Sequence, residues 1–261
     1  MRNAFAVYVR EVRSYFVSPI FYILAFVFMV VVGNMFKDTF FAFATETMRS
    51  LRMAQNYRTS IPMISVNIVA RQMFSYINFM SILVVPLLTM RLYAEEKKSG
   101  TMEFLMTSPI TTVQVLMGKF FSAFTIYFLM LVPTVAFSII MMIESNGKLD
   151  WGPVLSSYLG SILLGGAIIP IGMFFSSLTE NQIVAAAMTI TTILGLWMLI
   201  QTSRFLSPPL SDLVRFISLT DHLDYFTLGI ISLKHIAYFL SVTAFGLFMT
   251  GITVESARWR Q

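Results

Sequence analysis

The chain has 261 residues, 57% of them hydrophobic and only 12% charged, against about 25% charged in a typical soluble domain. Eighteen Lys+Arg and 13 Asp+Glu cannot cover a soluble protein of this size, so most of the surface must face something apolar. Cysteine is absent, which excludes a disulfide framework, a thiolate metal site and a cysteine nucleophile; the net charge of +5 sits beside apolar runs, where anionic lipid rather than nucleic acid is the ordinary partner.

Residues 3–17 place Phe5, Tyr8, Val9, Val12, Tyr15 and Phe16 at helical spacing, with Arg10, Glu11, Arg13 and Ser14 on the other side. The pattern predicts an amphipathic helix lying in the membrane interface. Ser18 suits an N-cap and Pro19 the first helical position, so the chain should turn there from lying on the membrane to crossing it. The uncharged run 19–36 is then the first span; it is longer than the apolar core of a secretory signal, lacks a small-residue cleavage site, and reads as retained. Five more uncharged stretches follow, 72–90, 120–143, 154–178, 183–201 and 236–254. Each is close to the roughly 20 residues a helix needs to cross a hydrocarbon core of about 30 Å. In lipid the backbone must pair within its own segment, so such runs are helices. Barrel strands would instead alternate apolar and polar over about 10 residues. The expected fold is all-α: a polytopic membrane protein with six transmembrane helices in a single domain over 1–261.

The connecting segments are informative. Residues 37–71 interleave Phe40, Phe41, Phe43, Met48, Leu51 and Met53 with Arg49, Arg52 and Arg58, and read as a partly helical outer loop, either a structural cap or a gatherer of substrate. Residues 203–234 are also half apolar, with Pro208 and Pro209 opening two short amphipathic pieces able to enter the membrane from one side if their backbone is buried against protein. The densest charge lies in 91–119, which runs Arg91-Leu92-Tyr93-Ala94-Glu95-Glu96-Lys97-Lys98-Ser99-Gly100-Thr101-Met102-Glu103-Phe104-Leu105 before Pro109. A short helix is expected near 101–107. Thr111 and Gln114 then have the spacing of a capping box, with Ile110 and Val115 at staple positions, so a new helix should start at Thr112 and carry Gly118 and Lys119 into the third span. Met102, Phe104, Leu105 and Met106 form an apolar group that needs a partner.

Lysine and arginine do not orient the chain, because nine would fall on each side of the membrane. No ionisable residue lies near the middle of a span, whereas ion-coupled transporters need such groups to bind their driving ion. Transport would have to be powered by another chain. Gly118-Lys119 lacks the upstream glycine and the following Ser or Thr of a P-loop, and no H-E-x-x-H or G-x-S-x-G is present. His222, in Asp221-His222-Leu223-Asp224, has no obvious companions for a metal site and reads as part of an interfacial polar cluster, with His235 as an interfacial anchor. Ser157, Ser161 and Gly165 in the fourth span, and Ala187, Thr191 and Gly195 in the fifth, suit close helix packing, either within the chain or across a dimer. Pro86, Pro133 and Pro170 each loosen a span.

The run Ala94 to Glu103, the pair Gly118-Lys119 and the loop Ser176-Ser177-Leu178-Thr179-Glu180-Asn181-Gln182-Ile183-Val184-Ala185 together resemble ABC-2-type permeases, the membrane subunits of ABC exporters. The similarity is strongest to the gliding-motility-associated and nitrous-oxide-reductase-maturation branches, with a weaker echo in Asp224-Tyr225-Phe226, Gly229 and Ser18-Pro19. The resemblance implies a cytoplasmic coupling helix that docks on a separate ABC ATPase subunit, both termini cytoplasmic, and a multi-pass protein of the cell inner membrane. It also implies a second permease copy or paralogue, and no cofactor on this chain, ATP and magnesium belonging to the ATPase. The interface residues it implies are Glu95, Glu96, Lys97, Lys98, Gly100, Thr101, Glu103, Phe104, Leu105, Thr179 and Glu180. Phe104 and Leu105 would enter an apolar groove while the charges set register, Glu103 foremost, though a solvated surface also explains Glu103, and helix capping explains Thr179 and Asn181 equally well. The alternative reading is a mechanotransmitter or scaffold in which the same ATPase acts on an extracytoplasmic accessory protein. An intramembrane enzyme is disfavoured by the absence of a catalytic constellation.

Overall fold

The computed structural model describes residues 2–57, 65–101, 110–145, 147, 149–203 and 205–258. Among them the chain is helical, without strands. In order run α1 (Arg2–Val17), α2 (Pro19–Tyr57), α3 (Val66–Thr89), α4 (Arg91–Lys98), α5 (Thr112–Leu131), a 3₁₀ turn (Val132–Thr134), α6 (Val135–Glu144), α7 (Trp151–Leu178), α8 (Gln182–Ser203), α9 (Leu210–Ile217), α10 (Leu219–Thr227) and α11 (Leu233–Arg258). Six of the described helical runs are long and apolar enough to cross a membrane: α2, α3 with α4, α5 with α6, α7, α8 and α11.

Two boundaries differ from the sequence expectation for one reason. The first spanning helix, α2, does not stop at Phe36 but continues to Tyr57, 39 residues in all. At about 1.5 Å per residue it is about 58 Å long, well beyond a hydrocarbon core of about 30 Å. Nothing in 37–57 breaks a helix: Gly and Pro are absent, and Ala, Met, Leu and Arg propagate one. Likewise α3 starts at Val66, ahead of Arg71, with the Ser65 hydroxyl accepting from the Asn67 amide. A charge ends the apolar run without ending the helix. Other boundaries follow local signals. Thr111 and Gln114 close a reciprocal capping box, each side chain bonding the other's backbone N–H at 3.3 Å, and α5 begins at Thr112. Pro133 coincides with the 3₁₀ turn between α5 and α6, while Pro86 and Pro170 lie inside α3 and α7.

The most enclosed helix is α7. Small residues admit its neighbours: a β-carbon at Gly165 would overlap the Tyr127 ring of α5, and one at Gly172 would overlap Thr89 of α3. A buried polar ladder then ties the three helices. Tyr127 donates to the Ser161 carbonyl at 2.9 Å and shares a 3.0 Å hydrogen bond with Ser81, while Ser161 donates to Asn78 Oδ1 at 2.7 Å. Ser157 is buried beside it and donates to the Pro153 carbonyl at 2.7 Å. Ala187, Thr191 and Gly195 have the same four-residue spacing but lie on the exposed side of α8, and among the described residues nothing stands within 4 Å of a β-carbon at Gly195. Inside the chain α8 packs instead through Ala185, Ala186, Thr189 and Ile193.

Candidate functional site

One end of the bundle gathers α1, α4 and the turn between α7 and α8. The second span bends there, where Met90 separates α3 from α4. A helix start leaves backbone N–H groups without partners; here Ser176 of α7 supplies them. Its hydroxyl accepts from the Tyr93 and Ala94 amides, both at 3.1 Å, and donates to the Met90 carbonyl at 2.7 Å. Gly172, one turn earlier on α7, provides the close approach that lets Ser176 reach the bend.

Helix α1 lies against α5 and the same bend. A β-carbon at Gly118 would stand 2.8 Å from Val7 Cβ and 2.9 Å from the Ala4 carbonyl oxygen, so only glycine admits α1 at this distance. Tyr8 and Thr125 share a 3.2 Å hydrogen bond. Tyr15, fully buried, donates to the Leu88 carbonyl at 2.8 Å, and the Arg91 guanidinium stands 4.1 Å over its ring. Burial pushes the Tyr15 hydroxyl pKa up, against the pull of Arg91. The interfacial helix of the sequence reading is thus also a brace against the second and third spans.

At the centre is Lys119, whose side chain is 1% exposed. Its Nζ lies 3.0 Å from Glu11 Oε1, 2.9 Å from Glu96 Oε1 and 2.6 Å from the Leu92 carbonyl. Arg10 bridges the same two oxygens, at 2.7 Å from Glu11 and 2.8 Å from Glu96. Two cations and two carboxylates therefore close a neutral ring joining α1, α4 and α5. Burial alone would raise the Glu11 pKa, but Lys119 and Arg10 outweigh it and hold the carboxyl below its ordinary range. For Arg10 burial acts downward, and Glu11 and Glu96 together lift the guanidinium above its usual value. Such a ring is sensitive to loss of one member, since removing a carboxylate leaves the buried Lys119 ammonium with less compensation. The second Glu96 oxygen and the Tyr93 hydroxyl are buried without hydrogen-bond partners among the described residues.

The residues singled out in the sequence divide around this ring. Glu96 turns inward, leaving Glu95, Lys98, Gly100 and Thr101 exposed and Lys97 half-buried. Lys97 and Lys98 end α4, where positive charge suits the helix dipole. The Thr179 hydroxyl accepts from the Asn181 amide at 3.1 Å, and Asn181 Oδ1 caps α8 by accepting from Ile183 at 2.9 Å. Capping thus accounts for both, and Glu180 between them is exposed. Glu103, Phe104 and Leu105, with the short helix expected near 101–107, lie outside the described residues. Sequence reasoning did not name Arg10, Glu11, Leu92 or Tyr15 for this site, and took Lys119 and Ser176 only as parts of motifs. The one available signal was a lysine at the mouth of an apolar span, which requires a buried carboxylate somewhere in the chain.

The histidines sit at the opposite end of α7. His222 Nδ1 and His235 Nδ1 are 2.7 Å apart and His222 Nε2 is 3.0 Å from the Phe216 carbonyl, with Tyr238 stacked on His222 at 3.8 Å between ring centroids. Burial lowers the His222 pKa, with Lys234 adding to it and Asp221 and the Phe216 bond opposing. No group of three or more His, Cys, Asp or Glu able to hold a metal occurs among the described residues.

Six helical runs long and apolar enough to cross a membrane define a polytopic helical membrane protein. The family model for ABC-2 family transporter proteins matches residues 5–255, and the chain belongs to that family. It is a multi-pass membrane permease of an ABC transporter, a transport subunit in a family that generally lacks its own nucleotide-binding site. No curated protein gives a significant match to the chain.

Proposed function

We propose that the chain is the transmembrane domain of an ATP-driven exporter of the cell inner membrane, with both termini cytoplasmic. It pairs with a second permease copy or paralogue and with ABC ATPase subunits, which carry the ATP and magnesium. Within the family it belongs with the gliding-motility-associated and nitrous-oxide-reductase-maturation permeases. The observation that carries this reading is the Lys119 ring with the Ser176 cap, which joins α4 to α1, α5 and α7 at one end. A push on α4 would be passed to three spans at once rather than absorbed by a loose loop. Glu95, Lys98, Gly100, Thr101 and Glu180 face outward at this end and suit the rim of an ATPase contact. Glu103, Phe104 and Leu105 would supply its centre. The test is copurification from native membranes: the ATPase should be retained by the wild-type chain and lost from the double variant Phe104→Asp, Leu105→Asp. Retention by that variant would refute the assignment.

One observation favours a second reading, in which the ATPase drives an extracytoplasmic accessory protein instead of transport. At 39 residues α2 is longer than a hydrocarbon core of about 30 Å requires, and its far part exposes Phe41 and Met48, both at 63%. In proteoliposomes, ATPase activity stimulated by a transported solute supports export. Stimulation only by an added extracytoplasmic protein supports transmission.

A further inference from the structure

Away from the Lys119 ring, Arg71, Gln72, Ser75 and Asn78 recur on α3 at three- and four-residue intervals and share one face. With Trp197 of α8 and Asp224 of α10 they line a cavity of about 380 Å³, within the size range of small-ligand sites. A polar stripe on a spanning helix is costly against lipid unless something satisfies it. The Asn78 amide oxygen is taken by Ser161, which leaves its NH₂ donors for the cavity. Arg71 and Asp224 border the same space without closing an ion pair. Partial desolvation at the cavity wall raises the pKa of Asp224, which stays open to solvent on its other side; Arg71 opposes the rise and Asp221 adds to it, so an added cation beside this carboxylate would be stabilising.

A second cavity of about 260 Å³ adjoins the first, sharing Ser75 and Trp197 with it. Its other walls are apolar, chiefly Val31 and Met35 of α2 and Phe79 and Met80 of α3. One compartment therefore carries a cation, an anion and amide donors, and the other is greasy; the two meet on one indole ring. Arg71 lies in the early turns of α3, toward the end of the span, where lipid headgroups sit.

We propose that the two compartments bind one zwitterionic phospholipid with a primary ammonium, a phosphatidylethanolamine. Its phosphate pairs with Arg71, its ammonium with Asp224, and one acyl chain crosses Trp197 into the apolar compartment. A guanidinium suits phosphate through paired N–H donors. An ammonium brings three N–H donors to Asp224 where a choline brings none, and a phosphatidylglycerol, whose headgroup beyond the phosphate carries only neutral hydroxyls, would leave Asp224 without a cation. The site does not depend on the ATPase reading and holds whether or not the chain transports.

The test is native mass spectrometry of the full chain, delipidated in detergent and offered phosphatidylethanolamine, phosphatidylglycerol and phosphatidylcholine with identical acyl chains. The ethanolamine lipid should be retained at least about fivefold over the other two. Arg71→Gln and Asp224→Asn should each lower its retention by roughly tenfold, the scale of one charged hydrogen bond. Lys234→Gln, in a different groove, should change nothing. Arg71 and Asp224 are exposed, so these variants should keep the wild-type circular dichroism and elution volume. Equal retention of the three lipids, or wild-type retention by both variants, would overturn the proposal. Free phosphoethanolamine binding as tightly as the lipid would overturn the part assigned to the apolar compartment.

Discussion

Lys119 and Glu11 are 108 residues apart in the chain and 3.0 Å apart in the fold, one on the third span and the other on the N-terminal brace. Removing the carboxylate leaves a buried ammonium with less compensation, so Glu11→Gln should destabilise the protein by about 2 kcal/mol. Lys119→Met should also destabilise. Because the two share one interaction, the double variant should lose clearly less than the sum of the single losses, a coupling read from thermal unfolding in detergent.

Gly118 makes room for Val7 and the Ala4 carbonyl. Gly118→Val should force α1 away from α5 and open the ring even though every charged residue remains. Hydrogen exchange is the readout: amides in the first half of α1 should lose protection by at least about tenfold, while those of α7 stay unchanged.

Acid should act at the same place. The Glu11 pKa in the folded protein lies below its ordinary 4.5. Its contribution is therefore complete at neutral pH and is lost as pH falls through 4.5 toward the folded value, because the unfolded chain takes up the proton first. Stability measured from pH 7 to pH 4 should fall less steeply in Glu11→Gln than in the wild type. An identical slope would remove Glu11 from the account.

Among the described residues Ser176 is the side chain that caps the start of α4. Ser176→Ala leaves the Tyr93 and Ala94 amides buried without that acceptor, at a cost of about 1–3 kcal/mol. These two amides should exchange faster than in the wild type. In the assembled transporter, ATP hydrolysis should persist while its coupling to substrate weakens.

The sequence made the helices legible where the code is local: the uncharged runs, the Thr111–Gln114 box and the Ser18-Pro19 turn all read directly from neighbouring residues. It misplaced the ends of α2 and α3, because a charge such as Lys37 or Arg71 marks the edge of the hydrocarbon and not the end of a helix. Spacing showed that Gly165 and Gly195 each lie in a row of small residues, but not that one row meets Tyr127 and the other faces outward. The Lys119 ring was invisible for a similar reason: its members come from three separated segments, and only the fold brings them within 3.0 Å.

The most direct test of the coupling account uses the absence of native cysteine. Single cysteines at Lys98 and Glu180, and a control at Phe41 on the far part of α2, are treated with a short thiol-to-amine crosslinker in membranes that contain the native ATPase. The account predicts ATPase adducts from Lys98→Cys and Glu180→Cys and none from Phe41→Cys. An adduct from Phe41→Cys alone, or no adduct from Lys98→Cys and Glu180→Cys while the ATPase copurifies, would contradict it.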